Sequence, residues 1–140
     1  MYLTNEDYRF VYSRTPRLCV DLILTNDDKF LLTKRAIESF VGLWHFPGGR
    51  VNYRESIEQA AHRIALKELG INITLGQLLG YCDIINDGEF VHSVSLVFTA
   101  IPLSNKITSI SQSTENAWFS TPPDYTHPYH KKFLEWWFSK

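Results

Sequence analysis

The chain has 140 residues, a formal net charge of −1 and 44% hydrophobic residues, which fits one globular domain. The near-neutral charge argues against a dedicated binder of nucleic acid or of membrane surfaces. No apolar run approaches the roughly 18 residues that a membrane span needs. The polar N-terminal stretch is unlike a signal peptide, so we expect a cytoplasmic protein. Cys19 and Cys82 lie far apart in apolar segments and are predicted to be buried free thiols.

Turn residues and hydrophobic periodicity predict the elements of the N-terminal third. Thr4 and Asp7 form a capping signal for a short helix that ends near Thr15 and Pro16. Apolar and β-branched runs predict strands over residues 18–25, 30–34 and 43–46. The run Pro47-Gly48-Gly49 is expected to end regular structure.

The clearest predicted helix runs from Glu55 to Leu69, where apolar residues recur at helical spacing, and Gly70 suits the position after its last turn. Further strands are predicted over 71–75, 78–85, 90–101 and 117–119, with a hairpin turn at 86–88 and a polar loop over 104–113. A last helix covers 129–138, and its terminal aromatic residues are more typical of a core than of a base-stacking surface. This order of elements predicts an α+β fold in a single domain, residues 1–140.

The segment from residue 49 to residue 71 carries the most specific pattern. A glycine is followed after five residues by a glutamate, and after seven more by an arginine. The pattern comprises Gly49, Glu55, Arg63, Ala65, Glu68, Gly70 and Ile71. Glycine lets the backbone approach a diphosphate or a metal closely, and Glu68 offers the hard oxygen that Mg²⁺ prefers. Glu55 is predicted to pair with Arg63 and hold the loop on the helix; a solvated pair of little energetic value is the alternative.

This pattern resembles the Nudix box, and the neighbouring Pro47-Gly48 and Ala60-Ala61 also fit it. Ile64 and Lys67 stand where the box has glutamates, so one carboxylate remains of three. One carboxylate supports one substrate-bridged Mg²⁺ more readily than a metal cluster.

The same two losses are typical of one Nudix branch, the GDP-mannose mannosyl hydrolases. That branch resembles most of this chain, with similar segments at residues 5–16, 20–21, 31–35 and 47–51. The resemblance implies an α/β/α sandwich with a mixed sheet, and a homodimer to which residues 1–16 could contribute.

In that branch, water attacks the anomeric carbon of the sugar and GDP leaves. The resemblance implies that the Gly48 carbonyl, Glu68 and Gln112 contact Mg²⁺. It implies that Arg35, Arg50 and Arg63 neutralise the departing diphosphate, with Arg35 and Arg50 also binding substrate, and that Asp21 binds the sugar. A metal ion and guanidinium groups together make GDP a stable leaving group.

The general base is the main departure from the branch, because Ser113 stands where the branch has histidine. Attack on an oxocarbenium-like carbon benefits from a base. Either another group serves, or activity is lower, or the substrate differs. The histidines are His45, His62, His92, His127 and His130, and each is more often a surface or capping residue than a base.

Three functions remain open from the sequence. The favoured one is Mg²⁺-dependent hydrolysis of a nucleotide sugar, GDP-mannose first, to GDP and free sugar. A nucleoside diphosphate-X hydrolase that cuts at phosphorus is disfavoured by Ile64 and Lys67. A module that binds a nucleotide sugar without turnover is favoured by the missing histidine. In each case the expected partner is a nucleotide sugar or related nucleotide, and neither nucleic acid nor a membrane.

Overall fold

The structure is a computed structural model that describes residues 3–35, 41–86, 90–104, 106–107 and 113–140. Its helices are α1 (Asn5–Tyr12), α2 (Ile57–Leu69) and α3 (Pro128–Phe138). Its strands are β1 (Arg17–Asn26), β2 (Lys29–Arg35), β3 (Trp44–His45), β4 (Gly48–Arg50), β5 (Ile73–Asn86), β6 (Val91–Pro102) and β7 (Ser113–Phe119). Among the helices described, none has the length and apolar character to cross a membrane.

Strand β1 is the centre of a mixed sheet. It pairs in parallel with β6 and antiparallel with both β2 and β4. Strand β5 extends the sheet beyond β6, while β3 and β7 both pair with β2. This combination of parallel and antiparallel pairs confirms the predicted α+β class.

Helices α2 and α3 cover opposite faces of the sheet. Alternate side chains of a strand point to opposite faces. Leu22 and Leu24 of β1 join a core cluster with Ile64 of α2, whereas Ile23 joins a second cluster with Phe133 of α3. The chain is therefore the predicted sandwich, with a helix on each side of β1.

Local capping chemistry sets both ends of α2. The Ser56 hydroxyl accepts the Gln59 N–H at 3.0 Å, and the Gln59 side chain accepts the Ser56 N–H at 2.9 Å. This reciprocal capping box begins the helix two residues after the predicted start. At the other end, Gly70 adopts a left-handed φ of 69°, as predicted for the residue after the last turn.

The prediction that regular structure ends at residues 47–49 was wrong. Gly48 and Gly49 begin β4, and they pair with Asp21 and Val20 of β1. Glycine is used here because β1 approaches so closely that a side chain at position 48 would collide with Asp21. The pairing depends on the partner strand, which local sequence does not report.

Two other predictions need adjustment. Segments 71–75 and 78–85 are one strand, β5, whose pairing with β6 is irregular between Leu75 and Gly80. Trp136 and Phe138 are 41% and 49% exposed rather than core, because α3 buries its other face through Phe133. The predicted turn at 86–88 and most of the loop over 104–113 lie outside the described residues.

Candidate active site

Glu68, the remaining box carboxylate, lies near the end of α2 and is 8% exposed. Its Oε2 atom is buried and has no hydrogen-bond partner among the described residues. Burial raises the pKa of this carboxyl, while the charges of Arg35 and Lys67 act in the opposite direction. The structure thus brings the Glu68 and Arg35 of the predicted site together. A buried carboxylate oxygen without a partner is costly unless a ligand completes it.

The oxygens of these residues fit a divalent ion. The Glu68 carboxylate and the Gly48 carbonyl are the hard oxygen ligands that Mg²⁺ prefers. Within the described ranges, no group of three or more His, Cys, Asp or Glu side chains could hold a metal alone. Gln112, the third predicted ligand, lies outside the described residues. Water and phosphate oxygens would therefore supply most of the coordination, as is usual for Mg²⁺.

The two non-acidic positions of the box have different surroundings. Ile64 is 1% exposed and packs in the core between α2 and the sheet. It also lies against β4, since a Cβ on Gly49 would contact Ile64 Cγ1 at 3.4 Å. Lys67 is exposed. Ile64 thus extends the apolar face of α2, as the sequence indicated.

The predicted pair of Glu55 and Arg63 is confirmed, and it is bidentate. Arg63 Nε and Nη2 donate to the two Glu55 carboxylate oxygens at 2.7 and 2.9 Å. Arg63 Nη2 also donates to the Arg50 carbonyl at 2.7 Å, and Glu55 accepts the Asn52 N–H at 3.0 Å. The Arg63 hydrogen bonds lower the pKa of Glu55. Because these contacts are partly buried, they tie the loop after β4 to α2 more firmly than a solvated pair would.

Arg50 is held by aromatic residues of α1. Its Nη1 atom donates to the Tyr12 hydroxyl at 3.1 Å, and its guanidinium lies 5.9 and 5.6 Å from the ring centroids of Tyr8 and Tyr12. Arg17 is buried beside it and donates to the Tyr8 hydroxyl and to the Phe90 carbonyl. These cation–π and hydrogen-bond contacts dock α1 on its own chain beside the predicted diphosphate site.

Asp21 is buried directly over the first glycine of β4. A Cβ on Gly48 would lie 2.0 Å from Asp21 Oδ1 and 2.8 Å from the Val20 carbonyl oxygen. The other carboxylate oxygen, Oδ2, lies 3.4 Å from Nε2 of His130 on α3. The sequence indicated that a lone carboxylate in this apolar strand would be costly, but it gave no sign of the histidine partner.

His130, which contacts this carboxylate, belongs to a buried group of histidines with His45 and His127, where surface or capping positions were expected. The His130 ring stacks on Phe46 at 4.3 Å and on His127 at 4.6 Å. His127 also caps α3, because its Nδ1 accepts the Tyr129 N–H at 3.2 Å. Burial, reinforced by His130, lowers the pKa of both His45 and His127 to about 3. Both rings are therefore neutral at pH 7. The expectation of a surface or capping position is confirmed for His127, which caps α3, and was wrong for His45 and His130, which are buried.

Two histidines and the two cysteines are the remaining His and Cys side chains, and the charge of Asp21 acts on both cysteines. His62 pairs with Glu58 at 3.8 Å on the outer side of α2, and His92 is exposed. Cys82 is buried and Cys19 half-buried, and both are free, close to prediction. Burial raises their pKa values to about 12 and about 11, which excludes a thiolate nucleophile at neutral pH.

The NUDIX domain model matches residues 15–137. The chain belongs to the Nudix family. It is 26% identical to the low-salt glycan biosynthesis protein Agl8 of Haloferax volcanii, over 95% of this chain and 89% of that protein. It is 30% identical to an ADP-ribose pyrophosphatase of Methanocaldococcus jannaschii, over 74% of this chain and 62% of that protein. A MutT NUDIX hydrolase from Burkholderia pseudomallei has a similar structure, with a TM-score of 0.78, 29% identity and coverage of 87% of this chain and 98% of that one. Nudix hydrolases generally use Mg²⁺ or another divalent ion.

Substitution of Gly48 tests the close approach of β4 to β1. We expect Gly48→Ala to displace Asp21 and to lower the free energy of unfolding by about 1–3 kcal/mol, because the added Cβ overpacks the site. Gly49→Ala is the matched control, since its Cβ would meet only the Ile64 side chain, at 3.4 Å. Urea unfolding measures both variants. Equal stability of the two would contradict the described contact.

The buried histidines predict that acid weakens the fold. His45 and His127 have an ordinary pKa of 6.5 and a pKa of about 3 in the folded protein, so below pH 6.5 the unfolded chain binds more protons. The free energy of unfolding should be flat above that pH and fall below it, by up to about 1.4 kcal/mol per pH unit for each ring.

His127→Asn provides the control for this titration, because asparagine retains the N-cap of α3 and does not titrate. Urea unfolding from about pH 7.5 down to about pH 5 should show roughly half the original slope in this variant. A slope equal to that of the unmodified protein would refute the role of His127.

Proposed function

We propose that this Nudix hydrolase cleaves a nucleotide sugar, with GDP-mannose as the favoured substrate, by attack of water on the anomeric carbon. The carboxylate set of α2 carries the proposal. Among the three box positions 64, 67 and 68, only Glu68 has a carboxylate, and its buried Oε2 lacks a described partner, whereas Ile64 belongs to the core. A single carboxylate suits one ion at the diphosphate better than the multi-ion activation of water at phosphorus.

In the proposed reaction, a bond forms between the water oxygen and the anomeric carbon while the bond from that carbon to the GDP oxygen breaks. The electron pair leaves with GDP, and the proton that the water loses passes to the solvent, so the products are GDP, the free sugar and one proton. Glu68 and the Gly48 carbonyl would hold Mg²⁺, which when bound stabilises negative charge on the diphosphate. Arg35 and Arg50 would neutralise further phosphate oxygens, and Asp21 would accept hydrogen bonds from the sugar hydroxyls.

The position of Arg35 supports this division of roles. It lies at the end of β2, and its charge acts on Glu68, His45 and His127. Arg63, which is held by Glu55 and the Arg50 carbonyl, would act mainly by keeping the Arg50 loop in place. The site would thus gather positive charge where the leaving diphosphate develops negative charge.

The named relatives favour two different reactions. A protein of glycan biosynthesis matches nearly the whole chain and agrees with a nucleotide sugar as substrate. An ADP-ribose pyrophosphatase matches a shorter part and agrees with cleavage at phosphorus, which is the second candidate function.

The same proposal includes a homodimer. Helix α1 packs on its own chain through Arg17, while Phe10 on that helix is 61% exposed and available to a second copy.

Isotope labelling distinguishes the reactions. We expect GDP-mannose hydrolysed with Mg²⁺ in ¹⁸O-labelled water to place the label in free mannose and to leave GDP unlabelled. Mass spectrometry of the products reads this directly. Label in GMP or in mannose phosphate would mean attack at phosphorus, and tight binding without any product would mean a binding module.

Substitution of Glu68 tests the metal ligand. We expect Glu68→Gln to reduce Mg²⁺-dependent turnover by at least about a hundredfold, because an amide oxygen is a weaker ligand for a hard cation. Its melting temperature should be unchanged or higher, since the buried charge is costly without the ion. Glu58→Gln makes the same chemical change at an exposed position of α2 and should retain activity. Wild-type turnover by Glu68→Gln would remove Glu68 from the site.

A further inference from the structure

We propose that His130 is a positioning residue that orients the Asp21 carboxylate toward the sugar. This inference rests on the proposed function, in which Asp21 contacts the sugar. Neither the box pattern nor the resemblance assigns a role to His130, which comes from α3 at the far end of the sequence. Its contacts hold the ring in one orientation, in which the ring faces the Oδ2 atom of Asp21.

The protonated nitrogen of His130 follows from its neighbours. The Phe46 backbone N–H donates to His130 Nδ1 at 3.0 Å, so Nδ1 carries a lone pair. In the neutral ring the proton is then on Nε2, which faces Asp21 Oδ2 at 3.4 Å. The ring is held between Phe46 and His127 by stacking at 4.3 and 4.6 Å. His130 therefore presents a fixed N–H donor to Asp21.

The carboxylate and the ring are each other's available partners. Both Asp21 Oδ2 and His130 Nε2 are buried, and neither has a complete hydrogen bond to any described residue. At 3.4 Å the pair is longer than a good hydrogen bond. Hydrogen bonds of this kind often tighten when substrate binds. A small rotation of the carboxylate would complete the bond and satisfy both atoms.

This contact determines which oxygen of Asp21 can serve the substrate. With Oδ2 turned toward α3, Oδ1 lies over Gly48, within 2.0 Å of where a Cβ would be. Gly48 provides the proposed carbonyl ligand of the metal. His130 would therefore keep one carboxylate oxygen beside the metal and diphosphate, where it can accept a hydrogen bond from a sugar hydroxyl.

Two conservative variants separate positioning from packing. The amide of asparagine reaches the place of Nδ1, so His130→Asn can accept the Phe46 N–H but cannot donate to Asp21. The amide of glutamine reaches the place of Nε2, so His130→Gln can donate to Asp21 but leaves the Phe46 N–H without an acceptor. One variant thus removes each contact. The measurements are kcat and KM for GDP-mannose, the inhibition constant of GDP, and the melting temperature.

We expect His130→Asn to melt close to the unmodified protein and to lose about tenfold or more in kcat/KM, with the inhibition constant of GDP unchanged. We expect His130→Gln to melt lower and to retain kcat/KM within about threefold, because the donor to Asp21 remains. The loss in His130→Asn should depend on the sugar, since GDP lacks the group that Asp21 contacts. A double variant with Asp21→Asn should lose no more than Asp21→Asn alone.

If both single variants had the kcat/KM of the unmodified protein, the positioning role would be overturned and His130 would be a packing residue. If both variants lost kcat/KM to the same extent, in line with a lower melting temperature, the positioning role would be overturned as well. Failure of the unmodified protein to bind or cleave any GDP-sugar is a different result, because it would refute the proposed function and with it the role of Asp21. An active enzyme with an insensitive His130 refutes only this inference.

Discussion

The close approach of β4 to β1 at Gly48 is the constraint on which the site depends. A strand pair formed by glycine leaves space that a neighbouring side chain can enter, and the Asp21 carboxylate fills that space. The same pairing places Gly49 of β4 against Ile64 of α2. A carboxylate that is proposed to bind the sugar and a carbonyl that is proposed to bind metal are thereby built into one rigid piece of sheet.

Two arginines, Arg35 and Arg63, set the charge around the buried Glu68 and the Glu55 of the loop. Arg35 acts on the buried Glu68 and on His45 and His127, whose lowered pKa keeps both rings neutral at pH 7. Arg63 is committed to Glu55 and to the backbone of the loop. The chain therefore retains one unsatisfied acid at the box, and the ion and the nucleotide would complete it together. Stability is sacrificed at Glu68 for that purpose, as is common at functional sites.

Much of the fold could be predicted from the sequence where local chemistry decides it. The capping box at Ser56, the glycine after α2 and the salt bridge between Glu55 and Arg63 are all set by residues no more than eight positions apart in the sequence. The resemblance placed Glu68 and Arg35 in one site, and the structure brings them together. Strand β4 and the contact between Asp21 and His130 could not be predicted in this way. Both depend on which distant segments meet, and a glycine run or a single histidine carries no signal of its partner.

The backbone proton of Phe46 is donated to a histidine ring of α3 rather than to a neighbouring strand. The strand just before it is joined to the same region, because Trp44 exchanges backbone hydrogen bonds with Tyr125 and His127 at 2.7 Å. Helix α3 and the residues before it therefore protect this amide proton from solvent. The rate of deuterium uptake at the Phe46 amide would report how often α3 separates from the sheet. Each such opening would also expose Asp21, which contacts His130 of α3, to water.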